Sequence, residues 1–302
     1  MQIFLLCLMM IGLTCAKIRI IDEHSRLSLS DLILDVFLPC TILSSFFGTD
    51  ISKLPSLGMI FIISALTLAA CFVLARYVLY PKAEPEQKKV LLYATIISNA
   101  SFLGNPVIEG IYGLGALVYS SVYLIPLRAA LWTLGVAIFS GGKGNIKKFI
   151  FHPCLVATYL GFVVMLTGFT PPSVVSRLVI SLGNCTTPVS MIIAGSILGM
   201  VKPKQLFTRL TLYYSFIRLL FIPLTLMGIL LMFRSVFPAV FSIDPVVCGV
   251  SVILSGTPAA VTTSILANKY GYGREFASKI VFVSTLLSIV TLPVLIWLLQ
   301  FL

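Results

Sequence analysis

Charge is scarce in this 302-residue chain. Only 10% of its residues are Asp, Glu, Lys or Arg, with 10 acids and 2 histidines in all. Together with 59% hydrophobic residues and a mean hydropathy of +1.08, that scarcity excludes an ordinary soluble domain. No soluble domain hides between the apolar runs either, because the longest polar stretches are 17–28 and 141–152. His24 and His152 both fall in such segments, so a metal centre inside a membrane has no ligand set. The 7 cysteines are scattered, without a Cys-x-x-Cys pair, and read as small apolar fillers. No Gly-x-Gly-Asp, His-Glu-x-x-His or Gly-x-Ser-x-Gly stands in any apolar run, which argues against an intramembrane enzyme. Nothing calls for a cofactor.

What the chain does have is a run of long apolar segments. They lie near 29–49, 56–80, 88–113, 116–139, 153–169, 173–199, 206–233, 245–268 and 276–302, each long enough, or nearly so, for a transmembrane helix. The shorter run at 2–16 has no basic stretch before it, unlike a signal peptide, and counts as a first span. The expected fold is therefore an all-α polytopic membrane protein with ten transmembrane helices.

The net charge of +11 suggests nucleic acid at first sight, but its distribution points to a lipid bilayer instead. Lys17, Arg19, Arg26, Arg76, Lys82, Lys88, Lys89, Lys143, Lys147, Lys148, Lys202, Lys204, Arg209, Lys269, Arg274 and Lys279 fall in alternate gaps. The opposite gaps hold only Lys53, Arg177 and Arg234. Basic residues near span ends stay cytoplasmic. This predicts a multi-pass protein of the plasma (inner) membrane with both termini outside. No basic face with stacking aromatics exists for nucleic acid.

The polar segment 141–152 divides the chain into a first five-helix repeat, 1–140, and a second, 153–302. An odd number of spans in each half inverts one relative to the other, the plan of many secondary transporters. Matching positions agree. Asp35 stands four before Pro39 and Asn184 four before Pro188; Gly12 and Gly161 keep the same offset. Gly104-Asn105-Pro106 of span four matches Gly256-Thr257-Pro258 of span nine.

A mid-helix proline removes a hydrogen bond and crowds the preceding turn, and in hydrocarbon the freed groups must be met by protein, water or ligand. Asn105 and Thr257 can each cap a second half-helix, with Pro106 and Pro258 at its first position. Two such amino ends near the bilayer middle would attract a carboxylate.

The segments 98–113 (SNASFLGNPVIEGIYG), 182–199 (LGNCTTPVSMIIAGSILG) and 255–271 (SGTPAAVTTSILANKYG) resemble the auxin efflux carrier family, which includes plant auxin carriers and bacterial organic-acid permeases. The likeness covers nearly the whole chain, including the Ser-Thr-Leu-Leu-Ser run at 284–288. It implies two inverted five-helix repeats, with broken fourth and ninth helices crossing in a transport domain. A scaffold domain would complete the fold and commonly dimerise, and each domain would draw on both repeats. The family's polar residue at the fourth-helix crossing matches Asn99.

Three features depart from the pattern: Ala100-Ser101 replace the frequent Thr-Gly, Asn105 replaces an aliphatic residue, and Glu109 adds an acid. The helix-four break is thus placed at Asn99 or at Gly104-Asn105-Pro106. Absence of the long plant-type loop points to a compact bacterial-type permease.

Four charged side chains lie within spans: Asp35, Glu109, Arg128 and Arg218. They read either as two acid–base pairs or as coupling and substrate groups. In the second reading Asp35, with Asn184 and Glu109, handles an ion or proton, and an arginine meets the substrate carboxylate. Arg128 is nearer the expected path, whereas Arg218 is expected on a scaffold helix. The functional expectation is a secondary transporter moving a small organic anion by alternating access. Asn99, Gly104, Asn105, Pro106, Gly256, Thr257 and Pro258 would form its site. The alternative is a sodium- or proton-coupled cation antiporter or symporter of a related crossed-helix fold.

Overall fold

The structure, a computed structural model, describes residues 2–47, 54–140, 151–199, 206–236, 244–260 and 262–301. Most of the expected linker, 141–150, and the basic residues Lys202 and Lys204 lie outside these. Among the described residues the chain is helical, without a strand. In chain order the helices are α1 Gln2–Lys17, α2 Glu23–Ser45, α3 Leu54–Tyr77, α4 Pro85–Ile96 and α5 Asn105–Tyr112. Next come α6 Leu114–Phe139, α7 Pro153–Thr167, α8 Ser173–Asn184 and α9 Thr186–Gly199. The last four are α10 Arg209–Ser235, α11 Pro245–Ser255, α12 Thr262–Tyr270 and α13 Arg274–Leu298.

Helices α2, α3, α6, α10 and α13 are long and apolar enough to cross a membrane, and α7 and α11 are shorter apolar helices. Their apolar side chains are often exposed, as in Leu66, Leu160 and Met232, which suits a lipid surround and not water.

Proline sets several irregularities. The five-residue π segments Ile33–Phe37, Ala100–Gly104 and Ile217–Phe221 each end two residues before a proline: Pro39, Pro106 and Pro223. The proline ring crowds the carbonyl four residues back and offers it no N–H. Widening the helix by one residue there relieves the clash, so that Leu38 N–H reaches Ile33 O and Ile222 N–H reaches Ile217 O.

The chain forms two compact units. Unit 1 comprises Met1–Gly58, Ser101–Val122 and Lys147–Val201; unit 2 comprises Met59–Ala100, Tyr123–Ile146 and Lys202–Leu302. Within unit 1, α1 packs on α9 and α7 packs on the second half of α2. Both pairings run through glycine. A Cβ at Gly12 would overlap the Ile192 carbonyl oxygen, and one at Gly161 would overlap the Phe46 ring. A hydroxyl pair ties α2 to the α8–α9 junction, Thr41 Oγ1 lying 2.7 Å from Thr186 Oγ1 and 2.9 Å from Gly183 O. In unit 2, α10 packs on α11 and α13, and α13 also on α12. This leaves the ends of α4 and α11 buried.

Candidate functional site: the paired breaks of unit 2

Two helices are interrupted within unit 2. Helix α4 stops at Ile97, which is extended (φ −104°, ψ 110°). Helix α11 stops at Gly256, and α12 begins at Thr262. The two interruptions pair as a short antiparallel bridge at Ser98 and Ala259. Asn99 N–H donates to Pro258 O at 2.8 Å and Ala260 N–H to Ile97 O at 3.4 Å. Ala259 N–H is met by Ser284 Oγ of α13 at 3.2 Å. Backbone freed from two helices thus satisfies itself and one serine, as burial demands.

The carboxyl ends of α4 and α11 are closed by one face of α10. Tyr214 donates its hydroxyl to Ala94 O at 2.8 Å. Arg218, one turn on, gives Nε–H to Thr257 O at 3.0 Å and Nη1–H to Thr95 O at 3.2 Å. It is 3% exposed. A cation suits a helix carboxyl end, where the dipole is negative. Beside the guanidinium lies a cavity of about 10 Å³, lined by Ser64, Thr67, Cys71, Ser98, Tyr123 and Arg218 among others, room for a single water. A groove of about 450 Å³ along α3 and α10 shares only Thr67 and Cys71 with it. Its other walls are apolar apart from Thr225, and none carries a charge.

Of the expected site residues, Asn99, Gly256, Thr257 and Pro258 come together at these breaks. The Asn99 backbone is paired, while its side-chain amide makes no hydrogen bond among the described residues and is left for another partner. Gly256 lets α11 approach Pro223 and Leu295, which a Cβ would press at 3.4 Å and 2.5 Å.

The other expectations need correction. Gly104, Asn105 and Pro106 do not form the break. The helix-four interruption lies at Ile97–Asn99, and Gly104 is helical (φ −71°, ψ −48°), because the π segment absorbs Pro106. Asn105 is not a cap either: it is buried in unit 1 and its Oδ1 accepts from Ser120 Oγ. Thr257 caps no following helix, since α12 begins only at Thr262; its hydroxyl donates back to Leu254 O at 2.8 Å. Carbonyl ends meeting an arginine, not amino ends, are what the described breaks present.

The charged candidates also separate. Asp35, Asn184 and Glu109 belong to unit 1. Asp35 and Asn184 are exposed, and Glu109 Oε2 accepts from Thr187 Oγ1 at 2.9 Å. Arg128 is buried in unit 2, at 8% exposure. Arg218 is the residue that sequence reasoning undervalued, by assigning its helix to a scaffold. The available signal was a charged residue five before Pro223, where a widened helix turns a side chain toward its neighbours.

Interrupted helices that meet among apolar spans are a feature of membrane transport proteins. The chain belongs to the membrane transport protein family, that of the auxin efflux carriers, whose profile matches residues 2–148 and 142–296. It is similar to an uncharacterized transporter of Methanothermobacter thermautotrophicus, 28% identical over 95% of this chain and 94% of the relative. It is also similar to a putative malonate transporter of Rhizobium meliloti, 26% identical over 52% of this chain and 47% of the relative. The protein is a multi-pass transporter, not an enzyme.

Proposed function

We propose that this chain is a secondary transporter of a small organic carboxylate, with unit 2 carrying the substrate by alternating access around its paired breaks. One observation carries the reading. Two interrupted helices, α4 and α11, meet through Asn99 N–H and Pro258 O beside the buried Arg218. Irregular backbone at membrane depth persists only where it is enclosed by protein or serves a cavity, and discontinuous helices form substrate sites in secondary transporters. The name of the malonate transporter relative supports a carboxylate.

The reading extends to ten spans in two inverted repeats, 1–140 and 153–302. Exchanging the repeats maps α1 onto α7 and α9 onto α2. The Gly12 contact with Ile192 and the Gly161 contact with Phe46 are then images of one another. Each compact unit also takes segments from both halves, which suits unit 1 as scaffold, dimerising in the plasma membrane. The basic residues favour both termini outside. Asp35, exposed in unit 1, is the proposed proton carrier, with Asn184 as its counterpart.

Malonate uptake into proteoliposomes tests the core of this. Asn99→Ala and Thr257→Val should each raise KM while the protein still folds, through loss of an amide donor and of the ordered carboxyl end of α11. Unchanged uptake and apparent affinity in both variants would sink the site.

A further inference from the structure

Charges inside the spans are divided by unit. The acids of unit 2 are Glu84, Glu86, Asp244 and Glu275, and all lie at helix ends: Glu84 and Asp244 at the N-caps of α4 and α11, the others in first turns. Among the described residues, two cations are buried within its spans, Arg128 and Arg218. Arg218 forms no ion pair among the described residues; it donates to the carbonyls of Thr95 and Thr257, and the neutral Cys71 thiol lies against the guanidinium. A guanidinium cannot escape burial by losing its proton. Two neutral carbonyls satisfy two of its five N–H groups but leave its net charge uncompensated in a low dielectric.

Three of the hydroxyls on the wall of the cavity beside it spend their protons elsewhere, while Ser98, Tyr123 and Cys71 complete its polar lining. Thr67 gives its hydroxyl proton to Ile63 O at 2.7 Å, Ser64 to Tyr123 O and Ser255 to Val252 O at 2.8 Å. Each hydroxyl has a single proton, so these three turn only lone pairs inward. Lone pairs would repel an anion that had no cation beside it.

We propose that Arg218 is the counter-charge for the transported carboxylate. One carboxylate oxygen takes the water-sized cavity beside Ser98 and accepts from the remaining guanidinium N–H groups. The same guanidinium holds the carboxyl ends of α4 and α11, so binding the anion tightens both breaks together. A single guanidinium without a second base on the cavity wall takes one negative charge. Any further carboxylate of the substrate is bound elsewhere. The inference rests on the organic-anion reading above.

Thermal unfolding of the purified full-length protein with acetate, malonate or uncharged malonamide tests it, since a binder stabilises by mass action. Both carboxylates should raise the wild-type midpoint and malonamide should not. Arg218→Gln should need about 10- to 100-fold more carboxylate for the same shift, the worth of a charged hydrogen bond. Arg218→Lys keeps the charge but cannot span two carbonyls. It should unfold at a lower midpoint yet keep its response to carboxylates. Ser98→Asp places a carboxylate in the cavity from within and should abolish the response, in a variant that leaves the arginine untouched.

A wild-type response in either Arg218→Gln or Ser98→Asp overturns the proposal, making Arg218 a backbone tie only, and leaves the organic-anion reading standing. A wild-type protein that no carboxylate stabilises, and that takes up no malonate, overturns both.

Discussion

Unit 1 and unit 2 handle the same difficulty, polar groups among apolar helices, in opposite ways. Unit 1 keeps its helices nearly continuous and brings them close. Its glycines put backbone against neighbour, the Thr41 and Thr186 hydroxyls hydrogen-bond across helices, and the charges within its spans are the acids Asp35 and Glu109. Unit 2 interrupts two helices and lets the loose ends pair, and its deep charges are arginines. Close packing between small residues gives a rigid frame. Interrupted helices give groups that a ligand can use. The difference suits the proposed division into frame and carrier, and it rests on where glycine and proline fall.

The largest effect should come from breaking the frame. At Gly12→Val the new side chain meets the Ile192 backbone, which cannot swing aside, and overpacking of this kind costs about 1–3 kcal/mol or more. Gly161→Ala meets only the Phe46 ring, which can rotate, so its loss in thermal unfolding should be clearly smaller. Equal losses would show that the two glycine contacts are not governed by what lies opposite.

A smaller loss is expected in the carrier. Ser284→Ala leaves the buried Ala259 N–H without its acceptor, costing about 1–3 kcal/mol at most, and should slow transport. Ser284→Thr keeps the acceptor and should restore both. Transport and stability unchanged in the alanine variant would mean that the paired breaks do not need this support.

The smallest effect lies outside the membrane, at the turn before α2. Asp22 accepts the Ser25 N–H at 2.7 Å, and this bond holds its carboxyl below the ordinary aspartate range. A depressed folded pKa stabilises fully above the unfolded value and is lost as pH falls through the folded one. Protection of the Ser25 amide from hydrogen exchange should therefore fall with acid in that window. In Asp22→Asn, an uncharged cap, it should stay level. The same acid loss in both would remove the carboxylate from the account.

Length and polarity of the runs settled much of this in advance. Apolar runs of this length can each cross lipid with every backbone group satisfied within the run, which is the helical solution. The Gly256-Thr257-Pro258 triplet was legible as an interruption because glycine, proline and a polar side chain in one apolar run loosen a helix, and Asn99 was legible only through the family resemblance. Gly104-Asn105-Pro106 carried the same letters and misled. Whether a proline breaks a helix or only widens it depends on what meets the displaced carbonyl, and here a π segment absorbed it.

By itself the sequence determined the apolar helices, the membrane, the transporter family and the presence of four costly charges within spans. Only the tertiary structure decided which charges keep company. It sorted the two acids into unit 1 and the two arginines into unit 2, and turned Arg218 from an expected frame residue into the tie between two breaks. The reason is physical. Burial and partners of a charge are set by residues far away in the chain, Thr95 and Thr257 in this case, which no local pattern around Arg218 contains.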